Sequence, residues 1–172
     1  AIVVVVALVI GFIISQVVIN GTKLFQETDA PFSLEYPARW TDANSLQDVL
    51  LKVQDPAANS AFKTSLTVET RELDPSAPPT MQQFIDRRVE QRSALTAYHF
   101  INARDTTVAG APAQELDHTY VVQPNYTPRR ASLPVVVVVR DYIVLTSSRV
   151  YYITLAAPEN EFDSASARMD RI

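Results

Sequence analysis

Two histidines, His99 and His118, are the side chains best suited to proton transfer near neutral pH, and the chain contains no cysteine. His118 shares one face of a predicted strand with Leu116 and Tyr120, which favours a buried structural role. His99 stands between two aromatic residues, and we interpret it as a packing residue. A histidine metal centre would need both imidazoles and several carboxylates together. We therefore predict no catalytic residue, no metal ligand and no cofactor.

The other common reaction and ligand motifs are also missing. The sequence has no G-x-S-x-G or H-E-x-x-H motif, and its acidic residues are spread along predicted loops and strand ends. Its three glycines, Gly11, Gly21 and Gly110, are too far apart to form a phosphate-binding loop, which excludes a nucleotide as ligand. The net charge of −4 gives no electrostatic basis for binding nucleic acid. These patterns indicate a protein that binds rather than catalyses.

Two segments suit recognition. Residues 124–130 form a proline-stiffened connection in which Tyr126, Arg129 and Arg130 are predicted to contact a partner, because Tyr and Arg are enriched at interface hot spots. The alternative is a solvated hairpin tip. The second segment is a helix carrying Arg87, Arg88 and Arg92, which could touch anionic headgroups or an acidic partner. Acidic residues are interspersed with these arginines, so we interpret this surface as a mixed-charge face in solvent.

Residues 1–19 contain no charge and are long enough to cross a bilayer as one helix. No small-residue cleavage site follows them, so we expect an uncleaved transmembrane anchor rather than a signal peptide. Ala7, Gly11 and Ser15 recur every four residues and would form a stripe for packing against another membrane helix. Residues 20–31 are predicted to be a polar linker. The acidic flank that follows favours placing the domain on the extracytoplasmic (periplasmic) side.

The remaining residues, 32–172, are long enough for one domain. Period-2 alternation predicts strands near residues 32–36, 49–53, 66–70 and 116–122, and long β-branched runs predict a central hairpin over residues 133–155. Thr80 and Gln83 form a capping-box signature for a helix that ends near Leu95. A second amphipathic helix follows Pro158. The pattern predicts an α+β fold, an antiparallel sheet flanked by helices.

Several segments resemble the PsbP-like (Mog1/PsbP/DcrB) family, in their order along the chain. They are FSLEYPARW, with Pro37 and Trp40, VAGAPAQEL, with Gly110, the hairpin VVVVVRDYIVLTSSRVYYITLAAP, and a closing helix with Phe162. The resemblance covers about residues 31–172 and implies a PsbP/Mog1-like sandwich behind the predicted transmembrane helix. It also implies the family's usual role as non-enzymatic accessory subunits, on photosynthetic complexes in the best-known members. Histidine metal ligands of some members have no counterpart motif here.

These observations lead to one main functional hypothesis and two alternatives. The main hypothesis is a single-pass membrane protein that stabilises or caps a larger membrane complex, for which the resemblance favours an electron-transfer or photosynthetic host. Its expected partners are other membrane protein subunits and the lipid bilayer. A membrane-tethered sensor or carrier for a small molecule is the first alternative and would require a deep apolar cavity. An enzyme is the second and would require His118 and carboxylates in a cleft.

Overall fold

A computed structural model of the chain describes residues 21–43, 48–58, 60–77, 79–123 and 133–169. These residues form nine strands and two helices. The strands are β1 (Thr22–Gln26), β2 (Ser33–Pro37), β3 (Thr41–Asp42), β4 (Val49–Gln54), β5 (Ser65–Glu72), β6 (His99–Val108), β7 (Ala111–Val122), β8 (Val135–Leu145) and β9 (Arg149–Pro158). The helices are α1 (Met81–Ser93) and α2 (Glu159–Met169).

Seven strands form one antiparallel sheet in the order β3-β4-β5-β9-β8-β7-β6, and β1 and β2 form a separate antiparallel pair. The predicted hairpin of β8 and β9 lies near the middle of the sheet and pairs from Val137↔Pro158 to Leu145↔Val150. β9 is buried on both faces, which is why its sequence is an apolar run, whereas in β8 buried residues alternate with partly exposed ones over most of the strand.

Each face of the sheet is covered by a different layer. On one face, Phe84 of α1 packs against a cluster that includes Ile143 and Tyr152. On the other, Phe162 of α2 and Leu34 of β2 belong to a larger buried cluster. The predicted α+β fold, an antiparallel sheet flanked by helices, is therefore confirmed.

The first turn of α1 has the predicted capping box. The Gln83 backbone N–H donates to the Thr80 hydroxyl at 3.4 Å, and the Thr80 backbone N–H donates to the Gln83 side-chain oxygen at 2.9 Å. Two donors that the helix leaves free are thereby paired, so the helix begins where the sequence predicts.

Three strands were not predicted: the two-residue strand β3, β6 and β1. β6 is an edge strand whose side chains are nearly all exposed, so it lacks the alternation that marks a half-buried strand. β1 lies within the predicted linker, where Phe25 pairs with Leu34 across the hairpin. Its polar sequence gives no strand signal, and the pairing with β2 holds it in place.

The residues predicted to span a membrane, 1–19, lie outside the described part of the chain. Within the described ranges, neither helix has the length and apolar character needed to cross a bilayer.

The antiparallel order gives the sheet two ends. At the end that we call proximal, β4, β7 and β9 finish and β5, β6 and β8 begin. Gly21 lies at this end, because its carbonyl accepts from the Ala38 N–H at 2.8 Å just before the chain enters β3. At the opposite, distal end, the Asp29 carbonyl accepts from the Tyr151 hydroxyl at 2.8 Å, which places the β1–β2 connection there.

Candidate functional site

A cluster of ionisable side chains lies between α1 and the sheet. Arg88 belongs to α1. The other members belong to four strands of the sheet: Asp141 to β8, His118 to β7, Glu69 to β5 and Thr154 to β9. Cross-strand pairing places the strand residues on one face, since Asp141 opposes Thr154 in the β8–β9 ladder. The cluster contains His118 and its neighbouring carboxylate Asp141, the groups to which the enzyme alternative assigns acid–base chemistry.

Arg88 is the centre of this cluster. One of its terminal nitrogens, Nη2, lies 2.8 Å from Asp141 Oδ1 and 2.8 Å from Thr154 Oγ1, and Nη1 lies 3.1 Å from Glu69 Oε2. The Thr154 hydroxyl also donates to Asp141. The guanidinium carbon lies 4.8 Å from the centre of the Tyr152 ring, within range of a cation–π contact. The charge of Arg88 is thus neutralised by two carboxylates and an aromatic face.

Burial and charge pairing set the ionisation of the pair. Burial disfavours the charged guanidinium, but Asp141 and Glu69 outweigh it and raise the pKa of Arg88 above its ordinary value. Burial likewise opposes ionisation of Asp141, which has no exposed surface, but Arg88 holds the pKa of that carboxyl below its usual range. Both groups are therefore ionised at neutral pH as a buried ion pair.

His118 lies beside this pair but is held neutral. Burial is the main cause that lowers the pKa of His118. The negative charge of Asp141 opposes the shift, and the positive charges of Arg92 and Arg88 reinforce it. Its Nδ1 is 3.8 Å from Asp141 Oδ2, which is too long for a hydrogen bond. Its ring packs against Tyr98, with ring centroids 5.3 Å apart.

The location of Arg88 corrects the interpretation of the arginine-bearing face. Arg87 is exposed as expected, but Arg88 is buried and points at the sheet. The signal was present in the spacing, because Arg88 falls four residues after Phe84 on the apolar side of the helix. Asp141 gives a matching signal, since it interrupts an apolar run at an inward position of β8. An unpaired charge would not be tolerated at either position, so the two together predict an ion pair.

The geometry of the cluster does not provide an active site. His118 is only 2% exposed, as expected for a structural histidine, and a substrate could not reach it without displacing α1. The other histidine corrects a prediction, since His99 is exposed at the start of β6 rather than packed. Asp117 and His118 are neighbours in sequence, but they point to opposite faces of the sheet because side chains alternate along a strand. The cluster therefore fixes α1 to the sheet and has no open reacting group.

A second ion cluster lies on the opposite face, near α2. Arg140 Nε is 2.9 Å from Asp117 Oδ1 and 2.8 Å from Glu115 Oε1, and Glu115 also pairs with Arg104 of β6. The guanidinium carbon of Arg140 lies 5.5 Å from the centre of the Phe162 ring. Each face of the β7–β8 pair thus carries an ion cluster next to one helix. One cluster joins α1 to the sheet, and the other contacts α2 through the Phe162 ring.

The described residues contain no group of three His, Cys, Asp or Glu side chains close enough to share a metal ion. An apolar cavity bounded by Tyr36, Trp40 and Leu155 has a volume of about 10 Å³, which is enough for about one water molecule. A depression of about 440 Å³ beside it is open and lined by polar groups that include Arg39, Asp55 and Glu161. Neither is the deep apolar cavity that a small-molecule carrier would need.

The residues predicted to bind partners lie outside the described ranges. This holds for Tyr126, Arg129 and Arg130 in the β7–β8 connection and for the Ala7, Gly11 and Ser15 stripe. The strands that flank the connection, β7 and β8, end and begin at the proximal end of the sheet. The three predicted contact residues of this connection therefore belong to a segment that starts and finishes at the proximal end.

The fold is similar to that of several solved structures. The solution structure of cyanobacterial PsbP (CyanoP) from Synechocystis sp. PCC 6803 matches with a TM-score of 0.60 and 14% identity, covering 88% of this chain and 89% of that one. A protein of unknown function from Pseudomonas aeruginosa matches at 0.51 and 17%, covering 86% and 90%. LpqN, involved in cell envelope biogenesis of Mycobacterium tuberculosis, matches at 0.51 and 12%, covering 87% and 86%.

Comparisons of sequence gave no match. No model of a known protein family matches the chain, and no curated protein is similar to it. The structural likeness confirms a PsbP-like α+β fold, and at these identities it shows the fold alone.

Proposed function

We propose that this chain is a non-catalytic, membrane-anchored accessory subunit that stabilises or caps a larger membrane protein complex. The observation that carries the proposal is the burial of His118 together with the Arg88–Asp141 ion pair beside it. These groups lie between α1 and the sheet, where the ion pair joins the helix to the strands. What the domain presents to its surroundings is surface for contact.

The anchor and the partner contacts follow from the sequence. Residues 1–19 would span the bilayer with the Ala7, Gly11 and Ser15 stripe facing a helix of the host complex. Tyr126, Arg129 and Arg130 would make the contact outside the membrane, on the extracytoplasmic side. The resemblance of the sequence to the PsbP-like family is the basis for proposing an electron-transfer or photosynthetic complex as the host.

Gentle solubilisation followed by native electrophoresis tests the proposal. We expect the full chain to migrate with a larger assembly and to co-purify with other membrane subunits. Migration only as a free monomer, under conditions that keep other membrane complexes intact, would contradict an accessory role.

The role of the small-residue stripe can be tested separately. Gly11→Leu places a bulky side chain on the stripe and is expected to reduce association with the host complex, because close helix approach requires small residues. Val9→Leu adds bulk away from the stripe and serves as the control. Equal association of both variants would make the segment a tether without a packing role.

A further inference from the structure

The exposed apolar side chains of the domain are concentrated at one end. Among the described residues, the large exposed hydrophobics are Leu24, Phe100, Ile101, Leu133 and Val136. Phe100 and Ile101 are the second and third residues of β6, and Val136 is the second of β8, so all three lie where strands begin at the proximal end. Leu133 precedes β8 and is 84% exposed. Exposed apolar groups gathered in one region of a surface mark a contact site.

Acidic side chains outnumber basic ones at the opposite, distal end of the sheet. The carboxylates Glu27, Asp29, Asp48, Glu72 and Asp74 lie in or beside the connections at the distal end. The bases beside them are Arg71 and Arg149, of which Arg149 is paired with Asp29 and Glu72. At the proximal end, Arg39 and Asp55 pair with each other, Lys63 donates to backbone carbonyls, and Glu159 and Glu161 stand in the first turn of α2. The proximal end therefore carries charges of both signs, whereas carboxylates outnumber bases in the distal connections, so an anionic surface would repel the distal end more strongly.

The N-terminus leaves the domain at the same end. The predicted membrane span finishes at residue 19, and β1 begins at Thr22, so two residues, 20 and 21, connect them. Fully extended, the three peptide steps from residue 19 to residue 22 reach roughly 10 Å. The predicted linker, residues 20–31, includes strand β1 and its connection to β2, which leaves the domain little slack to move away from the bilayer.

We infer that the proximal end of the sheet docks on the lipid bilayer, with Leu133, Val136 and Ile101 in the interfacial layer and the acidic distal end pointing away. The inference rests on the proposed membrane anchor and specifies how the domain sits relative to it. Lipid is the occupant that the geometry favours, because a segment that spans the membrane brings these residues to the headgroup region in every copy of the chain.

The absence of cysteine from the sequence permits a direct test. Single-cysteine full-length variants Leu133→Cys and Ile101→Cys carry an environment-sensitive fluorophore, and Ser147→Cys in the distal β8–β9 connection is the control. All three positions are exposed, so labelling should not disturb the fold. Each protein is reconstituted alone, at low protein-to-lipid ratio, into vesicles of phosphatidylcholine and phosphatidylglycerol, with or without a quencher attached to the acyl chains.

Docking predicts that labels at residues 133 and 101 emit at shorter wavelength than the label at residue 147, and that only these two are quenched by the acyl-chain quencher. If all three labels remain water-like while the chain resists alkaline extraction from the vesicles, the docking inference is wrong and the anchor stands. Extraction of the chain by alkali would overturn the proposed anchor itself. Shielding that grows with protein density and is insensitive to the quencher would show self-association and would also overturn docking.

Discussion

At the scale of single residues, the ion pair of Arg88 and Asp141 determines how α1 is attached. Taking both charges out of water is costly, and their attraction offsets this cost only because each group also bonds to Thr154 and Arg88 also contacts Glu69. Such a pair contributes little net stability over an apolar pair of the same size. Removal of one partner alone leaves an uncompensated buried charge and strongly destabilises the folded state.

A double-mutant cycle tests this asymmetry. Arg88→Met or Asp141→Leu alone should lower the free energy of unfolding by about 3–5 kcal/mol, because each leaves a buried charge without its main partner. The double variant should lie closer to the unchanged protein than either single variant does. Urea unfolding of the full chain in mild detergent reports this through the fluorescence of Trp40, the single tryptophan, which is buried.

Arg87→Met is the matched control, since Arg87 is exposed one residue away, and it should change the free energy of unfolding by less than about 0.5 kcal/mol. Strictly additive effects of the two core substitutions would show that Arg88 and Asp141 are not energetically coupled.

His118 gives the domain a pH dependence of defined sign. Because burial lowers the pKa of His118 in the fold, the unfolded chain binds a proton at higher pH than the folded chain does. The contribution of neutral His118 to the free energy of unfolding should be fully present above about pH 6.5, the ordinary pKa of His. It should fall as the pH is lowered from there towards the folded-state pKa. Unfolding measurements between pH 7.5 and pH 5.5 would show this slope.

The two histidines provide their own control. His118→Gln should flatten the slope, whereas His99→Gln, at an exposed position, should behave as the unchanged protein does. If both variants retain the same slope as the unchanged protein, the loss of stability in acid arises elsewhere.

At the scale of elements, the β6–β7 hairpin depends on an unusual backbone conformation. Two residues, Ala109 and Gly110, connect the strands, and both have positive φ, 48° and 81°. Positive φ at both central positions is the pattern of a type I′ turn, which matches the twist of the flanking strands. Asn-Gly is the sequence best suited to such a turn, and this chain has Ala-Gly.

Substitutions in this turn should have opposite effects. A Cβ at residue 110 would meet nothing within 4 Å, so Gly110→Ala changes only the backbone preference and should destabilise by about 1–2 kcal/mol. Ala109→Asn should stabilise by up to about 1 kcal/mol, because Asn tolerates the left-handed region better than Ala does. Thermal unfolding measures both, and a neutral Gly110→Ala would mean that the turn relaxes to another conformation.

At the scale of the whole molecule, β1 is part of the folded domain, although it lies within the predicted linker. Phe25 packs against the main buried cluster, and β1 pairs with β2 over its full length. The domain therefore begins near residue 21 rather than at residue 32.

A pair of truncations tests this boundary. A chain that starts at Gly21 keeps every described element and should unfold at the same denaturant concentration as the full chain. A chain that starts at Phe32 loses β1 and should be less stable by roughly 2 kcal/mol, the contribution of burying one large apolar side chain. Equal stability of the two truncated chains would return residues 21–31 to the role of a linker.

The whole molecule is also polarised. Exposed apolar side chains and Gly21 share the proximal end, and carboxylates outnumber bases in the distal connections. This arrangement fits a domain held close to a membrane by a short connection, and the labelled variants described above measure it.

The sequence by itself determined the elements whose patterns are local. The capping box of Thr80 and Gln83, the alternation in β2, β4 and β5, and the β-branched run of β8 and β9 each follow from contacts between near neighbours or from burial of a whole segment. The α+β class followed from the order of these elements, and the resemblance of several segments to the PsbP-like family implied the PsbP-like fold. The absence of a reaction motif also followed from the sequence, since it depends on residue types alone.

Only the tertiary structure decided how distant residues meet. Arg88, Asp141 and Thr154 come from three elements. The positions of Arg88 and Asp141 indicate an ion pair, but no local pattern shows that the Thr154 hydroxyl joins it. β6 and β1 are strands because a neighbouring strand offers backbone partners, and their own side chains have no period that shows it. The concentration of exposed apolar residues at the proximal end likewise arises from the strand order, which brings residues more than thirty positions apart to the same end of the sheet.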